Sequence, residues 1–289
     1  VPQPRLVDAN GIQLAVTEAG EGEPVVLVHG FPELAYSWRY QLPALADAGL
    51  RVIAYDQRGY GESSKPESIE DYAITALVDD LIGLLDAEEF DSAALVGHDW
   101  GSIVVWSAAV MFPERVSKVV SLNVPYRGWC TGFPSIEYIK EHLVDRFGYV
   151  LYFQETGRVE KSFGADPARW LKRSYQGVTA NTEFQGDDEF AVYVDAFAAG
   201  GITGPVNYYR NIDANIEATA HLKDAEVSQP TLMVTTDYDP ILPPSLAEGM
   251  DRWVPDLRIA HIENCGHWTQ QEQPDRVNEL LTGFLAQPR

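Results

Sequence analysis

The stretch Leu95–Ser102, LVGHDWGS, decides the fold. The residues leading into it, Ala93–Val96, are small or apolar, and a second apolar run, IVVWSAAVMF, starts at Ile103. Between the runs stand Gly97, His98, Asp99, Trp100 and Gly101. Glycines on either side of a strand-to-helix corner let the backbone turn tightly and pack closely, and they push the middle residue out at the strand's carboxyl end. A G-x-S-x-G corner puts a serine in that place; here it is Asp99. An aspartate that opens a helix is also an ordinary N-cap. The string alone therefore leaves two readings, a cap and a reactive carboxylate, and the positive helix end favours an ionised Asp99 under both.

Working outward, strand and helix signals alternate. PVVLVHG (24–30), RVIAYD (51–56), AALVGHD (93–99) and VSKVVSLNVP (116–125) are short apolar strand runs. YSWRYQLPALADAG, closed by Gly49, AITALVDDLIGLLDA and SIVVWSAAVMF, ended by Pro113, have helical spacing. Continuous apolar strands between helices predict a parallel sheet covered on both faces. From about Tyr126 to Leu222 no buried strand run occurs, and aromatic helical segments take over. The rhythm then resumes with PTLMVTT (230–236), a helix near PPSLAEGMDRW, RIAHI (258–262) and a final helix, PDRVNELLTGFLAQ. The predicted architecture is α/β: a mostly parallel sheet flanked by helices, residues 1–125 and 223–289, with an inserted helical lid, residues 126–222.

The bulk numbers narrow the function. The chain has 289 residues, of which 45% are hydrophobic and 11% aromatic, enough for a full core. A net charge of −22 repels phosphate backbones and anionic membranes, so neither nucleic acid nor membrane is an expected partner. Cys130 and Cys265 form no C-x-x-C pair and point to no zinc site, though a single disulfide stays open. No apolar run reaches membrane-spanning length, and the opening VPQPRLVDAN is no signal peptide, so a cytoplasmic location is expected. No G-x-G-x-x-G follows a strand, and no H-E-x-x-H or phosphate loop occurs; no metal and no cofactor is expected.

Asp99 acquires partners from the later strands. ENCGHWTQ places His267 in a loop after the last strand, and TTDYDPILP places Asp237 and Asp239 after the strand before it. Carboxylate, acid and histidine thus all fall at strand carboxyl ends, where open α/β sheets bind ligands. Asp239, further out in its loop, is the expected acid and Asp237 the fallback; Asn123 cannot serve as an ionised orienter. In HGFPE, the amide of Phe31 can join that of Trp100 as an oxyanion hole. A serine needs a base before it attacks, whereas an aspartate is already ionised near neutral pH. Asp99 can therefore displace at a saturated carbon and form an alkyl ester. His267 is then needed only to activate the water that cleaves this ester, with Asp239 orienting it. Epoxides and haloalkanes fit such chemistry better than carboxylic esters do.

The strings HGFPE, YDQRGYGESSKP, VGHDWGS, FGYVLYFQE, GPVNYYRN and CGHWTQ resemble the soluble-type epoxide hydrolases of the α/β-hydrolase fold, over nearly the whole chain. The resemblance implies two lid tyrosines that protonate the epoxide oxygen, at Tyr149 and Tyr209 by motif position, with Tyr152 and Tyr208 as near rivals. It implies a hydrophobic epoxide and water as reactants, with Phe31, Pro32 and Trp100 against the substrate. The alternative is a haloalkane or haloacid dehalogenase built on the same Asp-His-Asp set. Phe31, where dehalogenases usually place a halide donor, and Trp100, where fluoroacetate dehalogenases tend to carry a basic residue, favour the epoxide. YDQRGYGESSKP reads as scaffold anchored by Arg58. The oligomeric state, a homodimer included, is left open.

Overall fold

The computed structural model describes residues 3–129, 132–180 and 186–286. Eight strands form one sheet among the described residues: β1 (Arg5–Ala9), β2 (Ile12–Ala19), β3 (Glu23–Val28), β4 (Leu50–Asp56), β5 (Ala93–His98), β6 (Val116–Leu122), β7 (Thr231–Thr236) and β8 (Leu257–Ile262). Their order is β1-β2-β4-β3-β5-β6-β7-β8. β2 runs antiparallel to β1 and β4; every pairing from β4 to β8 is parallel.

The alternation of side chains across the pleat explains the apolar runs. In β3, Val26 and Val28 belong to one core, while Val25 and Leu27 belong to the other. The second core is closed by α1 (Gln41–Asp47) and the C-terminal helix, through Leu42, Leu45, Val277 and Leu281. The first is closed by α2 (Ile74–Ala87), by α3 (Trp100–Met111) and by the lid.

Between β6 and β7 the chain forms seven helices among the described residues: α4 (Ile136–His142), α5 (Val144–Gln154), α6 (Arg158–Ala165), α7 (Pro167–Gln176), α8 (Asp187–Gly200), α9 (Thr203–Arg210) and α10 (Ile212–Ala218). This is an inserted helical lid. After β8 come α11 (Thr269–Glu272) and α12 (Pro274–Leu285). Two segments depart from expectation. PPSLAEGMDRW forms two short 3-10 turns, Pro244–Ala247 and Met250–Arg252, because Gly249, at φ 74°, breaks any longer helix. YSWRYQLPALADAG splits into a 3-10 turn, Ala35–Trp38, and α1. Cys130 lies outside the described residues, and Cys265 is buried with a free thiol.

Arg58 anchors its loop: its guanidinium pairs with Asp80 on α2 and donates to the Asp71 carbonyl. No helix among the described residues is long and apolar enough to cross a membrane.

Candidate active site

β5 ends and α3 begins at Asp99, whose backbone sits at φ 50°, ψ −121°. An L-residue adopts such a conformation only when its surroundings impose it, at a cost of about 1–3 kcal/mol. Here the surroundings are backbone. A Cβ on Gly101 would lie 2.0 Å from the Val28 carbonyl oxygen, and one on Gly97 would lie 2.5 Å from the Ser102 nitrogen. A Cβ on Gly30 would lie 2.4 Å from that of Asp99. The three glycines let β3 and α3 close on each other and leave Asp99 displayed at the strand end.

The carboxylate's two oxygens differ. Oδ1 accepts from the Phe31 amide at 2.8 Å. Oδ2 faces His267, whose Nε2 is 3.7 Å away. Burial pushes the Asp99 pKa up, countered by the nearby His267 and His98 and by the Phe31 and Trp100 amides. On its other side, His267 Nδ1 meets Asp239 Oδ2 at 2.7 Å. Asp239 is itself held by four donors: His267 and the Asn123 amide, at 3.0 Å, on Oδ2, and the Ile241 and Leu242 amides, each at 2.9 Å, on Oδ1. Burial works against the charge of Asp239, but His267 and these amides hold its pKa below the ordinary carboxylate value. Burial would likewise lower the His267 pKa, yet Asp239 and Asp99 together push it up to about 9.

The lid supplies the opposite wall. Tyr149 on α5 and Tyr209 on α9 meet ring to ring at 5.8 Å and 80°. Burial raises both phenol pKa values well above 10, and the Asp99 charge adds to the effect in each. Both phenols therefore stay protonated and able to donate. The rivals are engaged elsewhere: the Tyr208 hydroxyl donates to the Arg58 carbonyl at 2.9 Å, and that of Tyr152 to Ser162 Oγ at 2.9 Å. Phe31 packs edge-on against Phe153 and Tyr209, and fully buried Trp100 packs against Phe133, Tyr208 and Tyr209. Pro32 is buried, and its carbonyl accepts from the Tyr175 hydroxyl at 2.9 Å. Asp237 lies apart, bound to His261 and the Asn264 amide on a more exposed surface.

Sequence reasoning missed the layer beneath. Glu33 and His98 are fully buried and meet at 2.6 Å. His98 Nε2 donates to the His267 carbonyl at 2.8 Å, while Gln270 and Gln271 donate to Glu33 Oε1. This network fixes the His267 loop from below. Asn123 bridges Asp239 to Thr269, whose hydroxyl donates to its side-chain oxygen at 2.6 Å. The presence of Glu33 in HGFPE and of His98 beside Asp99 was the available signal. No cluster of three or more His, Cys, Asp or Glu able to hold a metal ion occurs among the described residues.

Known proteins share this arrangement of elements. A family model described as alpha/beta hydrolase fold matches residues 23–274. Epoxide hydrolase A of Mycobacterium tuberculosis (strain ATCC 25618 / H37Rv) is 40% identical, over 99% of this chain and 98% of its own length. The chain spans about half of the mouse (Mus musculus) bifunctional epoxide hydrolase 2, 54% of its length, at 37% identity over 95% of this chain. The crystal structure of epoxide hydrolase A from Mycobacterium thermoresistibile superposes with a TM-score of 0.91 at 40% identity, covering 99% of this chain and 98% of that one. An epoxide hydrolase from Vigna radiata gives 0.91 at 32% identity, covering 98% and 97%.

Proposed function

This chain belongs to the α/β-hydrolase-fold epoxide hydrolases, and from that premise we propose that Asp99 opens a hydrophobic epoxide and His267 releases the product as a vicinal diol. The observation that carries the reading is the division of labour at Asp99: Oδ1 rests on the Phe31 amide at 2.8 Å, and Oδ2 faces His267 Nε2 at 3.7 Å. In the first step Oδ2 attacks a ring carbon and the carbon–oxygen bond breaks. The departing oxygen takes a proton from Tyr149 or Tyr209, help of a kind worth about 10²–10⁴ in rate. Asp99 is now an alkyl ester whose carbonyl oxygen, Oδ1, already lies in the amide hole.

In the second step His267 removes a proton from a water, and the hydroxide adds to the Asp99 carbonyl carbon. The Phe31 and Trp100 amides hold the oxyanion until it collapses to the diol and free carboxylate. Asp239 stabilises the imidazolium formed. The raised His267 pKa fits this order of events. Near neutral pH the imidazole of the resting site carries a proton, with Asp99 as one cause. Esterification removes the Asp99 charge and so lowers the His267 pKa; the imidazolium can then give its proton back toward the phenolate left by ring opening, and the neutral imidazole is free to take one from water. The aromatic wall of Phe31, Trp100, Phe153 and Tyr209 suits an apolar substituent.

The test is intact-mass measurement on His267→Gln, exposed to hydrophobic epoxides and haloalkanes. The expected result is an adduct of one whole epoxide on Asp99. An adduct equal to a haloalkane less HX would make the chain a dehalogenase. A folded variant that gains no adduct from the panel removes Asp99 as nucleophile.

A further inference from the structure

The side chain of Trp100 has no part in the two steps above, which use only its backbone amide. Its indole Nε1 is buried and, among the described residues, has no hydrogen-bond partner. Two other buried indoles are satisfied: those of Trp106 and Trp268 each donate to a backbone carbonyl at 3.0 Å. Trp38, also unpartnered, lies in the second core, across the sheet from the lid. A buried donor without an acceptor is costly, and one beside a nucleophile calls for an account.

α3 begins at Trp100, so the corner that displays Asp99 also turns the indole into the wall of lid rings. It meets the Tyr209 ring at 5.1 Å and 82°, edge to face. The approach stops short of a hydrogen bond, yet it bears on the ionisation of Tyr209. Burial raises that phenol's pKa, and Tyr149, Asp99 and Tyr60 raise it further, whereas the Trp100 side chain lowers it. Tyr208 packs against the same indole at 5.4 Å, but its hydroxyl is committed to the Arg58 carbonyl.

We propose that the indole N–H of Trp100 is a positioning donor for Tyr209, completing a hydrogen bond to its oxygen as that phenol gives its proton to the opening epoxide. The role rests on the epoxide-hydrolysing reading above. When the carbon–oxygen bond breaks, its electron pair goes to the epoxide oxygen, which takes the Tyr209 proton. The negative charge then left on the Tyr209 oxygen meets a fixed N–H in a buried wall. No proton leaves the indole. A donor that is idle at rest and engaged only as charge develops lowers the barrier without tightening the ground state. Trp100 thus serves each step with a different N–H: the side chain in ester formation, the main chain in ester hydrolysis.

The experiment follows formation and decay of the Asp99 ester by rapid quench and intact mass, with styrene oxide and a terminal alkyl epoxide. Trp100→Phe removes the N–H together with part of the ring. Trp100→benzothienylalanine keeps the bicyclic shape and replaces only the N–H, by sulfur. The second variant should slow ester formation about ten- to hundredfold, as for loss of a hydrogen bond to a charged group, and leave ester decay near the native rate. The slowing should persist when it is combined with Tyr149→Phe and vanish when it is combined with Tyr209→Phe. Ester formation at the native rate in the benzothienylalanine variant overturns the role, whatever Trp100→Phe does. So does equal slowing of formation and decay, or an undiminished effect in the Tyr209→Phe background. A folded native chain that forms no Asp99 ester and no diol from either epoxide brings down the hydrolase reading, and this role with it.

Discussion

Replacing Asp239 with Asn tests how the second half of the reaction is driven. The carboxylate accepts on every side: His267 and Asn123 on one oxygen, the Ile241 and Leu242 amides on the other. An amide must turn its NH₂ toward one pair of donors, so either orientation sets donor against donor, at about 1–3 kcal/mol. The larger effect is on His267. The rise from an ordinary 6.5 to about 9 corresponds to about 3 kcal/mol of preference for the imidazolium. Asp239 is the leading cause of the rise, ahead of Asp99, while burial opposes it. Without Asp239 the His267 pKa should fall, and the imidazolium formed during ester hydrolysis should lose most of that support, slowing the step by about a hundredfold or more. On the proposed roles, ester formation draws on Asp99 and the lid phenols and should be nearly unaffected. Rapid quench with intact-mass detection should therefore show adduct building at close to the native rate and then persisting. Asp237→Asn, which among the described residues hydrogen-bonds His261 and the Asn264 amide, should turn over normally. Normal turnover by Asp239→Asn, or an adduct accumulating in Asp237→Asn instead, would refute the assignment.

Tyr149→Phe/Tyr209→Phe should slow single-turnover ester formation by about 10²–10⁴ while leaving decay of any preformed ester little changed; equal slowing of both phases would count against the phenols as acids. Gly101→Ala should destabilise the chain by at least about 1–3 kcal/mol in chemical denaturation, because its Cβ would meet the Val28 and His29 carbonyl oxygens at 2.0 and 2.7 Å. Gly164→Ala, in helical backbone with nothing within 4 Å, should stabilise by about 0.5–1 kcal/mol. Stability should also depend on pH through His267. Its pKa is raised in the folded state, so its contribution is complete below about 6.5 and is lost as pH rises through about 9. Asp239, whose pKa is lowered, contributes above its ordinary 3.8 and loses that contribution as pH falls through its folded value. Denaturation midpoints for the native chain and His267→Gln should diverge least on the alkaline side.

What could be read in the sequence was local. The Gly97–Gly101 spacing announced the corner because a missing Cβ has a direct backbone consequence. His267 and Asp239 could be found because each follows a strand run, and parallel strands bring their carboxyl ends to one edge. Glu33 could not be read in the same way. It meets His98, 65 residues on, and Gln270, 237 residues on, and no local pattern encodes which buried polar groups will satisfy one another. Asn123 was set aside because it carries no charge, yet it is a donor to Asp239; the sequence shows chemical type, whereas packing decides which neighbour uses it. The short turns after Pro243 misled because their composition is helical while Gly249 takes a left-handed conformation.

The lid leaves the sheet after β6 and returns at β7, its immediate neighbour. Its two attachment points are thus side by side, and the insertion behaves as a cassette clipped into the edge where ligands bind. On the proposed roles the cassette carries the proton donors for ring opening, while the sheet carries the nucleophile and everything the ester needs for hydrolysis. Exchange of the cassette would therefore alter which epoxides are opened, and how fast, without disturbing the machinery that resets Asp99. Ring-opening scope and turnover reset could then diversify along separate evolutionary tracks within one polypeptide.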